Sequence, residues 1–263
     1  MRKLYIISAL LYIFSIHSLT GQVPKNKTAL QSFGAGEELV YTMNYGFVTG
    51  GKAVLSAKDT VLFGKKLLHL TGTGYTVGLA DAIYKIRDTY ESFCDPETLL
   101  PVKSIRDIRE GRYRYYNEVL FKHGPDSTWL ESQKSGQKYV VANIYDIISA
   151  FYAGREKYFN DSMTKGDVIT FLTYFSDELF PLRIRYMGIE TIKTRFGKLE
   201  CYKFMPVTEV GRAFKTEEDM QVWITRDKNK LPVRVRFNLT VGAFVCDLEQ
   251  FKGLRNSFSS FVP

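Results

Sequence analysis

Short segments in which apolar and polar residues alternate fill most of the chain from Glu38 onward. The run "ELVYTMNYGFVTGGKAVLSA" carries aromatic and β-branched residues in alternation, and Gly50-Gly51 separates its two halves. Similar runs follow, among them "IYKIRDTYESFCD", "RYRYYNEVLF" and "AFVCDLEQF". A period of two is typical of strands with one buried face. The pattern predicts a mainly β protein with a single, strongly curved antiparallel sheet, half-barrel or barrel-like, because few helical segments interrupt the strands.

One segment, "NIYDIISAFYAGRE", has a helical period instead. Its apolar residues recur at spacings of three and four, which places them on one face of a helix. Asn143 is a good N-cap and Gly154 with Arg155 suits a helix end, so the pattern predicts a helix over about 144–155. An amphipathic helix among strands needs apolar surface to cover. We therefore expect one or two helices packed on the concave side of the sheet.

This helix supplies the candidate ligand contacts. A curved sheet with a helix on its concave side can enclose an apolar pocket, and pockets of that kind bind small molecules. The candidate contacts are the side chains of the apolar helix face: Ile147, Ile148, Phe151 and Tyr152. The same residues would instead form plain core if the helix packs tightly against the sheet.

The segments "FCDPETLLPVKSIRDI" and "VWITRDKNKLPVRVRF" share an arrangement of residues. Each places an Asp (Asp95 or Asp227) in a polar turn, and Leu-Pro-Val follows. Proline cannot donate a hydrogen bond to a sheet ladder and is tolerated at the first residue of a strand. Pro101 and Pro232 are therefore predicted to open strands after turns. The two hairpins either correspond in two similar halves of one sheet or share only common turn chemistry.

The first residues indicate export. Arg2 and Lys3 precede an apolar run that ends at Ile16, and Gly21 follows. The run is too short to span a bilayer, which needs about 20 residues, and its flanks are typical of a secretory signal peptide. We expect cleavage after Gly21, so that residues 1–21 are the signal and 22–263 form a single β-rich domain. The alternative is a retained N-terminal anchor helix.

Charge and composition narrow the classes of function. The net charge is +8, and loss of Arg2 and Lys3 lowers it by two. That excess is mild, so nucleic acid is not an expected partner. We expect a periplasmic or secreted protein that is soluble after export. Cys94, Cys201 and Cys246 cannot form a complete disulfide framework; they are interpreted as buried small side chains, or Cys201 and Cys246 pair if their strands are neighbours.

No catalytic or metal-binding motif stands out. The sequence contains no G-x-S-x-G, H-E-x-x-H or P-loop pattern. His69 and His123 lack acidic, His or Cys partners at metal-ligand spacing. Acidic clusters in "SDELF" and "TEEDM" are interpreted as polar turns. We expect a protein that is not an enzyme and has neither cofactor nor metal.

A basic segment offers a second candidate site. "RDIREGRYRYY" combines arginines with tyrosines, and Arg112, Tyr113 and Arg114 are candidate residues of an anion-binding face. The alternative is an ordinary hairpin whose arginines face water.

Five segments together resemble one protein family. They are "GAGEELVYTMNYGFVTGGKA", "YKIRDTYESFCDPETLLPVK", "YDIISAFYAGR", "FGKLECYKFMPVTEVGRAF" and the "VWIT"/"LPVRVRF" hairpin. In this order, from about Phe33 to Gly253, they resemble the bacterial envelope family of unknown function DUF3108. The last hairpin and the helix are also similar to those of outer-membrane lipoprotein carriers of the LolA and LolB kind. That looser similarity implies a curved sheet around helices, with an apolar cavity for acyl chains.

Three functions follow as hypotheses. The leading one is a non-enzymatic envelope protein that binds or carries an apolar or amphipathic, lipid-like ligand. The alternative is a structural or protein-interaction module of the cell envelope. The third is a hydrolase that acts on glycans or lipids.

Overall fold

A computed structural model describes residues 30–140, 142–207, 220–238 and 242–262. The predicted signal peptide, residues 1–21, lies outside this part of the chain. The strands are β1 (Glu38–Tyr45), β2 (Val48–Leu62), β3 (Lys65–Thr76), β4 (Arg87–Cys94), β5 (Pro101–Glu110), β6 (Tyr113–His123), β7 (Thr128–Ser132), β8 (Gly136–Val140), β9 (Val168–Phe175), β10 (Glu178–Thr194), β11 (Gly197–Pro206), β12 (Met220–Thr225), β13 (Pro232–Asn238) and β14 (Ala243–Lys252). The helices are α1 (Gly78–Ile83) and α2 (Ile147–Lys157).

All the strands belong to one antiparallel sheet, in the order β8-β7-β6-β5-β4-β3-β2-β1-β14-β13-β12-β11-β10-β9. Consecutive strands lie side by side except β8 and β9, which form the two edges, and β1 pairs with β14 near the middle of the sheet. The sheet curves around α2 but does not close into a barrel, because its edge strands, β8 and β9, do not pair with each other. The predicted fold class, a curved antiparallel half-barrel, is confirmed.

The helix α2 lies on the concave side and packs against β3, β4 and β9. It begins three residues later than predicted, and its N-cap is Asp146 rather than Asn143. The reason is a competing extended segment: the Tyr145 amide donates to the Leu172 carbonyl at 2.9 Å, and the Tyr145 carbonyl accepts from the Tyr174 amide at 2.8 Å. Ile144 is buried among the side chains of Val119, Phe121 and Leu130 instead of joining the helix.

The other helix, α1, was not predicted. It lies against β2 and β3 at the rim of the sheet where β1 ends and β2 begins, and none of its residues is buried. Neither helix of the described residues is long and apolar enough to cross a membrane.

Both proline hairpins have the predicted form. Pro101 is the first residue of β5 and Pro232 is the first residue of β13. In each turn, the residue two positions before the proline has a positive φ, 61° for Leu99 and 51° for Lys230.

Two interpretations of the sequence need correction. Glycine commonly marks a turn, but β10 continues through Gly188 with a bulge between Tyr186 and Gly188. Because Gly188 has a φ of 108°, it accommodates the extra residue without ending the strand. The suggested pairing of Cys201 and Cys246 is also wrong, since β12 and β13 separate their strands, and Cys94 is likewise a free thiol.

Candidate functional site

The concave side of the sheet holds an apolar cavity beneath α2. Its volume is about 390 Å³. The helix contributes the side chains of Ile147, Ile148 and Phe151 to one wall. Strands from both halves of the sheet complete the lining with Tyr41, Ala53, Leu55, Phe171, Leu182, Ile184, Phe204, Pro206, Met220, Val222, Ile224, Pro232, Val235 and Cys246, to which Ala150 and Phe159 add.

The local sequence positions α2 over this cavity. Asp146 accepts a hydrogen bond from the Ser149 amide at 2.9 Å, and the Ser149 hydroxyl accepts one from the Asp146 amide at 2.9 Å. This capping box starts the helix where the chain leaves the sheet. The spacing of Ile147, Ile148 and Phe151 then directs all three side chains to the cavity. Three of the four predicted contact residues are thus brought together there.

Tyr152, the fourth predicted contact, lies outside the cavity lining. It is fully buried beside Phe33, with 4.6 Å between the ring centroids. Because an α-helix turns about 100° per residue, Tyr152 lies about 100° around the helix from Phe151, on the flank of the apolar face. The structure therefore separates Tyr152 from the other three, while ligand binding by Ile147, Ile148 and Phe151 stays a prediction.

A buried ion pair next to Tyr152 was missed by sequence reasoning. The Arg155 guanidinium donates to both carboxylate oxygens of Glu37, at 2.6 and 2.8 Å, and to the Asn229 carbonyl at 2.9 Å. Both charged side chains have no exposed surface. Such a pair is costly to desolvate and is held only by good geometry. Arg155 was interpreted as a helix-end residue, and no sequence signal connects it with Glu37, which lies 118 positions away.

The basic hairpin segment lies apart from the cavity. Arg112, Tyr113 and Arg114 stand at the tip of the β5–β6 hairpin and are exposed. The Arg114 guanidinium donates to the carbonyls of Gly111 and Tyr113, at 2.8 and 2.7 Å. Anion binding by this tip stays a prediction, and it would form a site separate from the one beneath α2.

A third arginine of that segment is enclosed. Arg106 lies within 6 Å of the ring centroids of Tyr90, Tyr115 and Phe175, and it donates to the Ser176 hydroxyl at 2.7 Å. Cation–π contacts of this kind stabilise a guanidinium among aromatic rings. Arg106 belongs to β5, so it links the β9–β10 turn to a strand in the other half of the sheet.

The acidic and histidine candidates have structural partners. The Asp177 carboxylate of "SDELF" accepts from Tyr115, Asn117 and Ser132 at 2.7 to 2.9 Å. His69 lies 2.6 Å from a Glu91 oxygen. In "TEEDM", residues 216–219 are outside the described part of the chain. Among the residues that are described, no group of three or more His, Cys, Asp and Glu side chains could hold a metal ion.

A solved structure shares this architecture. A β-barrel-like protein of the family DUF1849 from Brucella abortus matches with a TM-score of 0.56 at 6% identity, over 86% of this chain and 100% of that one. At that identity the likeness shows the fold alone, and the fold agrees with the shape implied by the looser similarity to lipoprotein carriers. A proposed lipoprotein from Parabacteroides distasonis matches the same shares of the two chains, with a TM-score of 0.36 and 10% identity.

Sequence comparison gives the family. No curated protein sequence matches this chain. The family model described as "Protein of unknown function (DUF3108)" matches residues 40–249, which is most of the chain and close to the range from Phe33 to Gly253 expected from the five segments. The chain therefore belongs to the DUF3108 family of proteins of unknown function.

Proposed function

We propose that this protein is a non-enzymatic, exported protein of the cell envelope that binds an apolar or amphipathic molecule beneath α2. The cavity carries the proposal, because its lining is almost wholly aliphatic and aromatic. Its volume of about 390 Å³ falls in the range of roughly 300–1,000 Å³ typical of small-molecule sites. Protein interiors are close-packed and rarely leave a void of that size. Export is supported by the character of residues 1–21.

A cavity-filling variant tests ligand binding. Ala53 lines the cavity from β2, so Ala53→Trp should occupy the space that a ligand needs. A ligand that binds only the folded state raises the free energy of unfolding by RT ln(1 + [L]/Kd). We expect n-octane to raise the melting temperature of the wild type in a concentration-dependent way and to have no effect on Ala53→Trp.

Lys58→Trp is the matched control, since Lys58 is an exposed residue of the same strand outside the cavity lining. It should respond to n-octane like the wild type. Native mass spectrometry of protein purified from its own envelope should also reveal a lipid-like molecule bound to the wild type and absent from Ala53→Trp. An unchanged melting temperature of the wild type at every n-octane concentration would contradict the proposal.

A second candidate function, envelope association through a surface, is favoured by α1. Leu79 and Ile83 of this helix are 72% and 76% exposed, and Phe47 of the neighbouring β1–β2 turn is fully exposed. The hairpin tip with Arg112 and Arg114 lies at the same rim. Apolar side chains beside arginines suit an anionic membrane surface, where aromatic and aliphatic groups enter the interface and basic groups meet the lipid phosphates.

Vesicle cosedimentation tests this second candidate. The wild type should bind vesicles that contain phosphatidylglycerol and should bind pure phosphatidylcholine weakly. The variant Leu79→Ser with Ile83→Ser should lose binding without losing stability, because neither side chain is buried. Val61→Ser is the control, since Val61 is 68% exposed but lies near the opposite end of β2. Equal vesicle binding by the α1 variant and the wild type would exclude this rim as the membrane-binding surface.

A further inference from the structure

Exposed apolar side chains gather at one end of the sheet. Connections between neighbouring antiparallel strands alternate between the two ends of a sheet, so the β1–β2, β5–β6 and β9–β10 turns lie at the same end as α1, which joins β3 to β4. We call this end the α1 rim. Its exposed apolar side chains include those of Phe47, Leu79, Ile83, Tyr113, Phe180 and Phe244. Exposed apolar surface of this kind marks an interaction site.

The apolar cavity extends to the α1 rim. Pro206 is the last residue of β11 and Met220 is the first residue of β12, so both lie at this end of the sheet, and both line the cavity. The opposite end is closed by fully buried side chains, among them Phe33, Arg155 and Leu231. This arrangement favours the α1 rim as the entrance to the cavity.

Basic side chains stand among the apolar ones. Lys85 follows α1, Arg112 and Arg114 belong to the tip of the β5–β6 hairpin, and all three are exposed. Asp81, the acidic residue of α1, is paired with Arg87 at 2.7 Å. Exposed basic groups are attracted to anionic lipid surfaces, and neighbouring apolar groups enter the boundary between headgroups and acyl chains. The α1 rim offers both kinds of group beside the entrance to the cavity.

We infer that the protein exchanges its ligand directly with a lipid bilayer, which the α1 rim contacts with the entrance of the cavity towards the membrane. This inference rests on the proposed function and names the ligand class: an amphipathic lipid whose apolar part enters the cavity and whose polar head stays at the rim. The head stays outside because the cavity wall is almost wholly aliphatic and aromatic, and burial of a polar group without a hydrogen-bond partner is costly. Direct exchange keeps the apolar part of the lipid out of water.

Transfer of the fluorescent fatty acid 12-(9-anthroyloxy)stearate from loaded protein to vesicles tests this inference. The vesicles contain phosphatidylglycerol and a quencher lipid, so that arrival of the probe is measured as a loss of fluorescence. For the wild type the transfer rate should rise in proportion to the vesicle concentration, because exchange occurs on collision with the membrane. Replacement of phosphatidylglycerol by phosphatidylcholine, or a higher NaCl concentration, should slow the transfer because it weakens the attraction of the basic groups.

The variant Leu79→Ser with Ile83→Ser separates exchange from binding. It should bind n-octane with the Kd of the wild type, since neither residue lines the cavity. It should transfer the probe about tenfold more slowly, because two apolar groups no longer enter the bilayer. Val61→Ser is the matched control, since Val61 is 68% exposed near the opposite end of β2, and it should transfer the probe like the wild type.

Three results would overturn the inference. The first is a wild type that binds n-octane but not the probe, and the second is a transfer rate that does not depend on vesicle concentration, which indicates release into water. The third is equal transfer by the α1 variant and the wild type. Failure of n-octane itself to bind the wild type would instead overturn the proposed function.

Discussion

Asp146 combines the N-cap of α2 with a buried carboxyl group. The Ser149 amide and the Ser92 hydroxyl donate hydrogen bonds to it, and only 6% of the residue is exposed. Burial raises its pKa to about 6, even though these hydrogen bonds favour the ionised form. In the unfolded chain an Asp titrates near about 3.9. Folding at neutral pH therefore places a charge in a buried position beside the cavity.

The variant Asp146→Asn should reveal this cost as a change in pH dependence. Because the pKa of Asp146 is raised in the folded state, its contribution to stability is full below about pH 4 and is lost as the pH rises through about 6. Asn keeps an acceptor for the Ser149 amide but carries no charge. The difference in the free energy of unfolding between the wild type and Asp146→Asn (wild type minus variant) should fall by about 2–3 kcal/mol between pH 4 and 7. Urea titrations across this range measure it, and a difference independent of pH would contradict the assignment.

The strands β1 to β6 and the strands β9 to β14 have similar lengths in the same order. The lengths of β1 to β6 are 8, 15, 12, 8, 10 and 11 residues. Those of β9 to β14 are 8, 17, 10, 6, 7 and 10 residues. When β1 is matched with β9 and the other strands follow in order, β4–β5 corresponds to β12–β13. These are the two proline hairpins. Both have a bulge just before the strand end that faces the proline, and both have a positive φ two residues before it. The shared geometry favours corresponding halves over common turn chemistry alone.

The two turns should differ in their energetic importance. Asp227 accepts from the Asn229 and Lys230 amides and the Thr225 hydroxyl, and its other oxygen accepts from the Ser259 amide. Asp227→Ala leaves these donors without that acceptor and removes one of the contacts that hold the C-terminal segment. We expect a loss of about 2–3 kcal/mol in urea denaturation, which exceeds the cost of an isolated turn.

Asp95→Ala is the comparison, because the hydrogen bonds that the described residues donate to the Asp95 carboxylate come from Glu97 and Thr98 of its own turn. It should cost about 1 kcal/mol. Equal losses in the two variants would show that the contact with Ser259 contributes nothing.

The elements were more predictable than the site. Alternation and turn residues predicted the strands, and the helical period predicted α2, because both signals are local. The start of α2 was misplaced because Tyr145 pairs with β9, a partner distant in sequence. The helix α1 was missed, since six residues in "GLADAI" are too few for a helical period to register. The Arg155–Glu37 pair depends on which strands meet under the helix, and no local pattern contains that information.

Phe151 separates the two possible roles of α2. It lines the cavity and also packs against Tyr152, with 5.4 Å between their ring centroids. Phe151→Ala should lower the free energy of unfolding by about 3 kcal/mol and also reduce the stabilisation by n-octane. Leu70→Ala is the matched control, because Leu70 is fully buried core outside the cavity lining. It should lose similar stability but keep the n-octane response; an unaltered response in both variants would make Phe151 plain core.

At the scale of the whole molecule, the two edges of the sheet are fastened by a turn rather than by strand pairing. Ser176 and Asp177 both have positive φ, 52° and 65°, as the tight β9–β10 turn requires. The Asp177 carboxylate accepts from Tyr115, Asn117, Ser132 and Ser135, and its carbonyl accepts from Lys138. These donors belong to β6, β7, β8 and the turn between β7 and β8. The Asp177 side chain, together with the Arg106–Ser176 contact, therefore holds the β9 edge against the β8 edge, and the cavity lies within the curve so formed.

The contacts of Asp177 with β6, β7 and β8 form a seam between the two edges of the sheet. Asp177→Gly tests whether this seam controls access to the cavity. Glycine adopts a φ of 65° without strain, so the variant removes the acceptor and little else. We expect a loss of about 2–3 kcal/mol, because several donors lose their partner. We also expect faster hydrogen exchange in β8 and β9 than in the central pair β1 and β14, and faster release of n-octane.

Burial opposes ionisation of Asp177, yet its four donors keep its pKa below the ordinary value. The seam is therefore intact above about pH 4 and weakens as the pH falls through that lowered pKa, which the glycine variant should not show. Glu178→Ala, an exposed change at the next residue, should leave exchange and release unaltered. If Asp177→Gly opened all the strands equally, the seam would be ordinary packing and ligands would enter elsewhere.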